Sequence, residues 1–300
     1  MIAVTLMNGI LIIDKPTGLS SHACVGRIRR VYGTKKVGHS GTLDVAASGV
    51  LVLGINQGTK LLSYLNQDDK TYRFGIRFGQ ETDTLDHTGV MTRVMPIESI
   101  AMLDTILAGF IGPQFQTVPA YAAVKVNGMK LYEYARRGLL VPKTAPRPMT
   151  IYALKRVAEV IEVESGFETV LEMCVSKGFY IRQFAQDLAA KLNTVAHTTS
   201  IRRLQAGSYT IDEAVALEAV QANTPLITPT EALRDMPEVF VLGTQSRYVS
   251  HGRAIELNQE APLLKVMDQA GNLLAIYEKT TGQQYRPRHV FMPFKSEETL

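Results

Sequence analysis

Apolar residues in this chain come in short blocks, and the texture of each block predicts an element. Residues 10–13 (Ile-Leu-Ile-Ile) are continuously apolar and predict a short buried strand, ended by Asp14-Lys15-Pro16 and Gly18, where Pro16 and Gly18 force a turn. Ser20 or Ser21 can cap a helix running to about Tyr32, with Val25, Ile28, Val31 and Tyr32 on its buried side and Gly33 as its stop. A second continuous block, Gly49 to Gly54, predicts a buried strand at 50–55. Residues 72–78 alternate instead: Tyr72, Phe74, Ile76 and Phe78 share one face of a strand, and Arg73 and Arg77 point the other way.

Further on, Ile100, Leu103, Ile106 and Leu107 set a helical stripe within 98–110. From Pro113 to Pro148 the chain is rich in Pro, Gly and cations, which predicts an ordered excursion outside the core. Strands are expected near 151–163 and 168–175, joined by a turn at Ser165-Gly166, followed by a helix from Ile181 to Leu192. Thr210 and Glu213 make a capping-box pattern for a helix through about Ala222. The stretch from Thr224 to Pro237 carries three prolines and reads as a linker. Beyond it, Val239–Leu242, Leu263–Val266 and Leu273–Tyr277 are short strand-like pieces of the kind that build small β-barrels. Helices and strands do not alternate in a βαβ rhythm, so the expected class is α+β with a mixed, largely antiparallel sheet. The expected units are 1–236, with the excursion at 113–148, and 237–300.

Composition narrows the classes. With 300 residues, 46% hydrophobic and 20% charged, the chain can bury a full core and is not of the disordered class. No apolar run reaches the roughly 18 residues of a membrane span, and the N-terminus lacks an export pattern. The two cysteines, Cys24 and Cys174, have neither a disulfide framework's number nor a metal site's spacing, so a reduced, cytoplasmic protein is expected. The net charge of +4 is modest, but the cations cluster. Arg27, Arg29, Arg30, Lys35 and Lys36 form one acid-free group, and the helix carrying Arg27 and Arg30 can offer them to a nearby cleft. Lys125, Lys130, Arg136, Arg137, Lys143, Arg147, Lys155 and Arg156 form a second, with Glu133 as its counter-charge. Two such patches suit a polyanion such as a nucleic-acid backbone.

The candidate chemistry lies between them. The run Lys36-Val37-Gly38-His39-Ser40-Gly41-Thr42-Leu43-Asp44 places one carboxylate in a Gly-rich loop, and Asp44 is the only acid between Asp14 and Asp68. On residue types alone, this is also a plain turn in which Gly38 and Gly41 take positive φ and Asp44 caps a following helical turn.

That loop belongs to a larger set. Asn8 to Pro16 with Gly18, Ser20 and Ser21, then Gly38 to Asp44, Lys60, Asp69-Lys70-Thr71-Tyr72, Gly79, Thr82-Asp83-Thr84 and Asp86 resemble the bacterial tRNA pseudouridine synthase B family. Lys130 to Arg136 and Ser176 to Arg182 continue the match, which spans about residue 8 to about residue 210. The resemblance implies the pseudouridine synthase fold with a catalytic cleft, and a C-terminal barrel resembling a PUA RNA-binding domain, most similar around Tyr248 to Ile255. It implies isomerisation of uridine to pseudouridine at position 55 in the T-loop of tRNA, by base flipping and without metal or organic cofactor. It implies Asp44 as nucleophile, Arg182 as its partner, Tyr72 stacking on the flipped base, and Tyr180 and Leu204 beside the uracil. His39 corresponds to the histidine next to the target nucleotide. Arg27, Arg30, Lys125, Lys130, Arg136 and Arg137 are the expected backbone contacts, and the enzyme is expected to work as a monomer on tRNA, with no protein partner and no membrane.

The chain departs from the family pattern at Ser40, Val45, Ser48 and Ala122, where threonine, proline, threonine and serine are usual; none of these removes a proposed catalytic group. The Gly33–Lys35 and Gly58–Lys60 runs lack the phosphate-loop spacing of an NTPase. A non-catalytic RNA-binding module, or a related enzyme acting on ribosomal RNA, remain as alternatives.

Overall fold

The computed structural model describes residues 7–65 and 69–291. β1 (Gly9–Lys15) leads through a Ser20-capped turn into α1 (Ser21–Val31), in which the Ser20 hydroxyl accepts the Ala23 N–H at 3.1 Å. β2 (Val37–His39), β3 (Ser48–Ile55), α2 (Leu62–Leu65) and β4 (Lys70–Phe78) follow, then the hairpin β5 (Gln80–Thr82) and β6 (Met91–Val94). Next come α3 (Leu103–Ala108), β7 (Gly112–Gln116), a small hairpin of β8 (Lys125–Val126) and β9 (Met129–Lys130), and α4 (Leu131–Arg136). β10 (Arg147–Arg156), β11 (Ile161–Val163), β12 (Gly166–Val175), α5 (Ile181–Lys191) and β13 (Ala196–Ala206) complete the centre, with β14 (Tyr209–Thr210) and β15 (Val215–Ala216) at its margin.

The main sheet runs β15-β1-β3-β13-β4-β12-β10-β7. The pairs β1–β15 and β3–β13 are parallel and the others along that path antiparallel, so the sheet is mixed and largely antiparallel. The two textures of apolar block follow from what covers each face. On β1 and β3, Leu11, Ile13, Leu51 and Leu53 enter the core under α1, α3 and α5, while Ile10, Ile12, Val50 and Val52 enter a second core on the opposite face. Strands buried on both faces read as unbroken apolar runs. On β4, the Tyr72 to Phe78 row is buried, but Arg73 faces water and pairs with Glu172 across the strand at 2.8 Å, hence the alternation.

Five expectations change. The helix expected at 98–110 shortens to α3, because the Ser99 hydroxyl accepts the Ala101 N–H and Leu103 N–H bonds back to Ile100, turns that precede the helix. The strand expected at 151–163 starts earlier and divides into β10 and β11. The start of the excursion is sheet: β7 pairs with β10 from Gly112 to Gln116. Thr210 and Glu213 form their capping box around one 3₁₀ turn only, since Val215 and Ala216 are taken by pairing with Ile13 and Asp14. Pairing with a core strand outweighs local helix preference there. The 224–237 stretch is packed: Ile227 bridges Ile10, α6 (Pro229–Ala232) follows, and Leu233 is buried.

The C-terminal part has β16 (Glu238–Phe240), α7 (Gly243–Ser250), β17 (Ile255–Glu256), β18 (Leu263–Met267), β19 (Leu273–Lys279) and β20 (Gln284–Val290). Its curled sheet, ordered β16-β18-β19-β20-β17, is a half-barrel, with α7, β17 and β20 beyond the three expected strands. Met267, Leu273, Ile276 and Phe291 share the second core with Ile10 and Val50, so the two units are packed through a common apolar layer. Lys60 Nζ donates to the Val290 carbonyl at 2.6 Å, and Tyr64 Oη lies 2.8 Å from His289 Nδ1 across the same boundary. Among the described residues no helix is long and apolar enough to cross a membrane.

Between β3 and β13 the backbones approach closely at Gly49, with φ of +105° and a position where a Cβ would stand 2.1 Å from the Arg203 carbonyl oxygen. Gly49→Ala is expected to lose roughly 2–5 kcal/mol from combined positive-φ strain and forced separation of β3 from β13. Urea unfolding checks this; a loss below about 1 kcal/mol would refute the account.

Candidate functional site

The loop between β2 and β3 is held by side chains. The Ser21 hydroxyl, buried in the first turn of α1, donates to the Leu43 carbonyl at 3.0 Å and accepts the Leu43 N–H at 2.9 Å. Gly18 N–H bonds to the Val45 carbonyl, and Ala47 N–H closes a turn on the Asp44 carbonyl. Lys15, fully buried beneath, donates to the Pro16 and Leu19 carbonyls at 2.9 and 2.6 Å. Neither Gly38 nor Gly41 has positive φ and no helix follows Asp44, contrary to the plain-turn reading. Gly38 lies in β2, where a Cβ would come 3.2 Å from Leu62 Cδ1.

Asp44 therefore projects from a braced loop into a cleft of about 500 Å³. Arg182, at the second residue of α5, meets it: Nε donates to Asp44 Oδ2 at 2.8 Å. Arg182 is not a surface charge. Its side chain is 5% exposed against 44% for Asp44, and its remaining nitrogens donate to the Thr84 carbonyl at 2.8 Å and the Tyr121 carbonyl at 3.0 Å. A cation in the first turn opposes the helix dipole, so this burial requires carboxylates. Asp86 is the second: its Oδ2 lies 3.9 Å from Arg182 Nε, while its Oδ1 accepts from Thr84 Oγ1 and Thr88 N–H. Asp86 was visible only as part of a matched motif; its role depends on the loop after β5 folding back onto β13, where Asp86 bridges Thr198.

The other expected residues divide. Tyr72 packs in the apolar cluster and also lines the cleft. Tyr180 lines the cleft, and burial pushes its phenol up, with Asp44 adding to the rise and Arg147 and Arg182 opposing it. It is a neutral hydrogen-bonding group at neutral pH. His39 ends β2 and is not among the residues lining the cleft; its Nδ1 is buried and unpartnered, and burial first, then the Arg203 charge, push it down. Leu204 does not line the cleft. It is the extra residue of a bulge between Arg203 and Gln205, and the inward positions go to Ile201 and Arg203. Arg203 was missed, although alternation with Ile201 points it inward; it is buried and donates to the Val50 carbonyl at 2.7 Å.

Arg27 and Arg30 do not line the cleft, contrary to expectation: Arg27 lies 3.9 Å from Glu218 and Arg30 is exposed on α1. Lys125, Lys130, Arg136 and Arg137 sit on β8, β9 and α4 and the end of that helix, with Lys130 and Arg136 each 5.4 Å from the Tyr132 ring centre. The same excursion contributes Ala122, Ala123 and Val124 to the cleft wall. Among the lining residues, Asp44 is the one acid against Lys70, Arg147, Lys177, Arg182 and Arg203. Such a cleft attracts a polyanion and presents it with a single open carboxylate.

A family model described as TruB family pseudouridylate synthase, N-terminal domain, matches residues 29–181. The tRNA pseudouridine synthase B of Caldanaerobacter subterraneus subsp. tengcongensis is 36% identical over 289 residues, covering 95% of this chain and 99% of the relative. That of Bacillus subtilis is 34% identical over 291 residues, covering 91% and 93%. A solved structure titled as a Cbf5-Nop10-Gar1 complex superposes with a TM-score of 0.68 at 22% identity, covering 99% of this chain and 88% of that one, a likeness of fold.

Arg182→Met is expected to lower stability by roughly 3 kcal/mol, since it strands two partly buried carbonyls and the buried Asp86, whereas Asp44→Asn, half open to water, should change it by under about 1 kcal/mol. Equal losses on urea unfolding would contradict this division. For His39 the folded value lies below the ordinary one of about 6.5, so the unfolded chain binds the proton better. The penalty is present below the folded value and vanishes above about pH 6.5. The stability of wild type relative to His39→Gln should therefore rise with pH up to that point and then level; a flat difference would show that His39 is not held neutral.

Proposed function

The chain belongs to the TruB family of pseudouridylate synthases, and from that premise we propose that it is a stand-alone, monomeric enzyme converting uridine 55 in the T-loop of tRNA. It isomerises uridine in tRNA to pseudouridine. We place it in the cytoplasm with that substrate, with residues 1–236 as the catalytic unit and 237–300 as a PUA-like RNA-binding unit.

The reaction breaks the N1–C1′ bond and forms C5–C1′ with the same uracil, while the C5 proton leaves and N1 gains one. Atoms and electrons balance within the substrate and water, so neither an oxidant nor an outside group is required. Asp44 supplies the carboxylate that engages the electron-poor carbon, a role that needs no prior deprotonation at neutral pH. Arg182 fixes that carboxylate's orientation and balances its charge. The target base reaches Asp44 by leaving the stack, with His39 to take its place and Tyr72 as the stacking surface. Tyr180, neutral at pH 7, hydrogen-bonds the detached uracil near C5. Lys125, Lys130, Arg136 and Arg137 meet the phosphates from the excursion, and Arg27 and Arg30 do so outside the cleft.

The observation that carries this reading is the Asp44–Arg182 pair, with its carboxylate open to an otherwise cationic cleft. The test is tritium release from tRNA labelled at uridine C5. Wild type should release it, and Asp44→Asn should be slower by at least about 10³-fold while still binding tRNA, with binding that weakens steeply as salt rises. Equal release from both proteins removes Asp44 from its role; release from neither overturns the proposal.

A further inference from the structure

We propose that Gln116 is a positioning residue for the isomerisation: its side-chain amide clamps the backbone of Tyr180 and thereby sets both Tyr180 and Arg182 against Asp44. This rests on the function proposed above. Gln116 ends β7 and is buried, yet its amide is spent on one distant residue. Oε1 accepts the Tyr180 N–H at 2.8 Å and Nε2 donates to the Tyr180 carbonyl at 3.0 Å. The amide thus pairs with the main chain as a neighbouring strand does, fixing a residue that no strand reaches.

Tyr180 needs that hold. It is the N-cap of α5 but makes no side-chain cap, and its carbonyl bonds on the helix side only to Phe184 N–H. On the other side the main chain enters through Gly178, at φ of +84°, a conformation that favours glycine. Arg182 is two residues on, and its Nη2 is received by the carbonyl of Tyr121, from the segment that Gln116 begins. Gln116 is also the register partner of Arg147, whose charge bears on the Tyr180 phenol. The clamp therefore joins the root of the 113–148 excursion to both groups that face the reacting base.

Gln116→Met keeps the volume and removes both hydrogen bonds. It should lower kcat by about 10- to 100-fold, the usual effect of a misplacement near 1 Å, with KM for tRNA changed less than about three-fold. Gln116→Glu separates positioning from packing. As a carboxylate it accepts from Tyr180 N–H but opposes the Tyr180 carbonyl; once protonated it donates and restores both bonds. Burial against a carbonyl raises this glutamate above its usual value of about 4.3, so its activity relative to wild type should climb as pH falls from 8 to 6. A kcat for Gln116→Met within about two-fold of wild type overturns the proposal, as does a Gln116→Glu ratio that ignores pH. Amide exchange needs no turnover: Tyr180 N–H should exchange at least about ten-fold faster in Gln116→Met. Unchanged exchange overturns the clamp. Wild type that releases no tritium defeats the proposed function instead, with exchange still deciding whether Gln116 holds Tyr180.

Discussion

A guanidinium buried at the start of a helix is the constraint on which the rest of this site depends. Arg182 stands in the first turn of α5, where the helix dipole disfavours a cation, and it is almost wholly withdrawn from water. It is stable there because three chain segments converge on it. The braced loop brings Asp44, the loop after β5 brings Thr84 and Asp86, and the excursion brings the Tyr121 carbonyl. Each of these segments is irregular, and Arg182 hydrogen-bonds or ion-pairs with each of them.

The central sheet makes that convergence possible. β3, β13 and β4 lie side by side, so the loop preceding β3, the first residues of β4 and the bulged end of β13 all open onto one cleft. The loop after β5 carries strain of its own: Leu85 has φ of 63°, and Gly89 packs where a Cβ would fall 2.4 Å from both Asp83 Oδ1 and Thr84 Oγ1. Hydrogen bonds from Thr198 N–H to the Leu85 carbonyl and from His87 N–H to the Thr198 carbonyl offset that strain by tying the loop to β13. The opposite face of β1 and β3 is covered by the C-terminal half-barrel, which gives the sheet support on both sides at the strands nearest Asp44.

The cleft's charge follows from the same geometry. Cations from β4, β10, β13 and the turn before α5 face inward, while β4's outward arginines are occupied with Glu172 and Glu168 on β12. A nucleic-acid backbone thus meets an excess of positive charge in the cleft and ion pairs with glutamates on the other face of β4. Asp44 is the one acid among the residues that line this cleft.

Much of this was written in local pattern. The unbroken apolar runs at 10–13 and 50–55, the alternation at 72–78, the Ser20 cap and the stripe of α5 all rest on neighbours in sequence, whose periodicity survives any tertiary arrangement. The motif residues Asp44, Arg182, Tyr72 and Tyr180 were named from the chain alone, because their types and order match a known family. What the tertiary structure decided were the cases where a partner far along the chain overrode local preference. Val215 joined Ile13 instead of extending a capped helix, Ile227 joined Ile10 instead of forming a free linker, and the bulge at Leu204 turned that side chain aside and Arg203 inward. The loop's rigidity came from Ser21 and not from its glycines, and Asp86 and Gln116 acquired their places only when β5 and β7 were set beside α5. Local spacing determines what a residue can form; which of those options is taken depends on long-range contacts that no window of sequence contains.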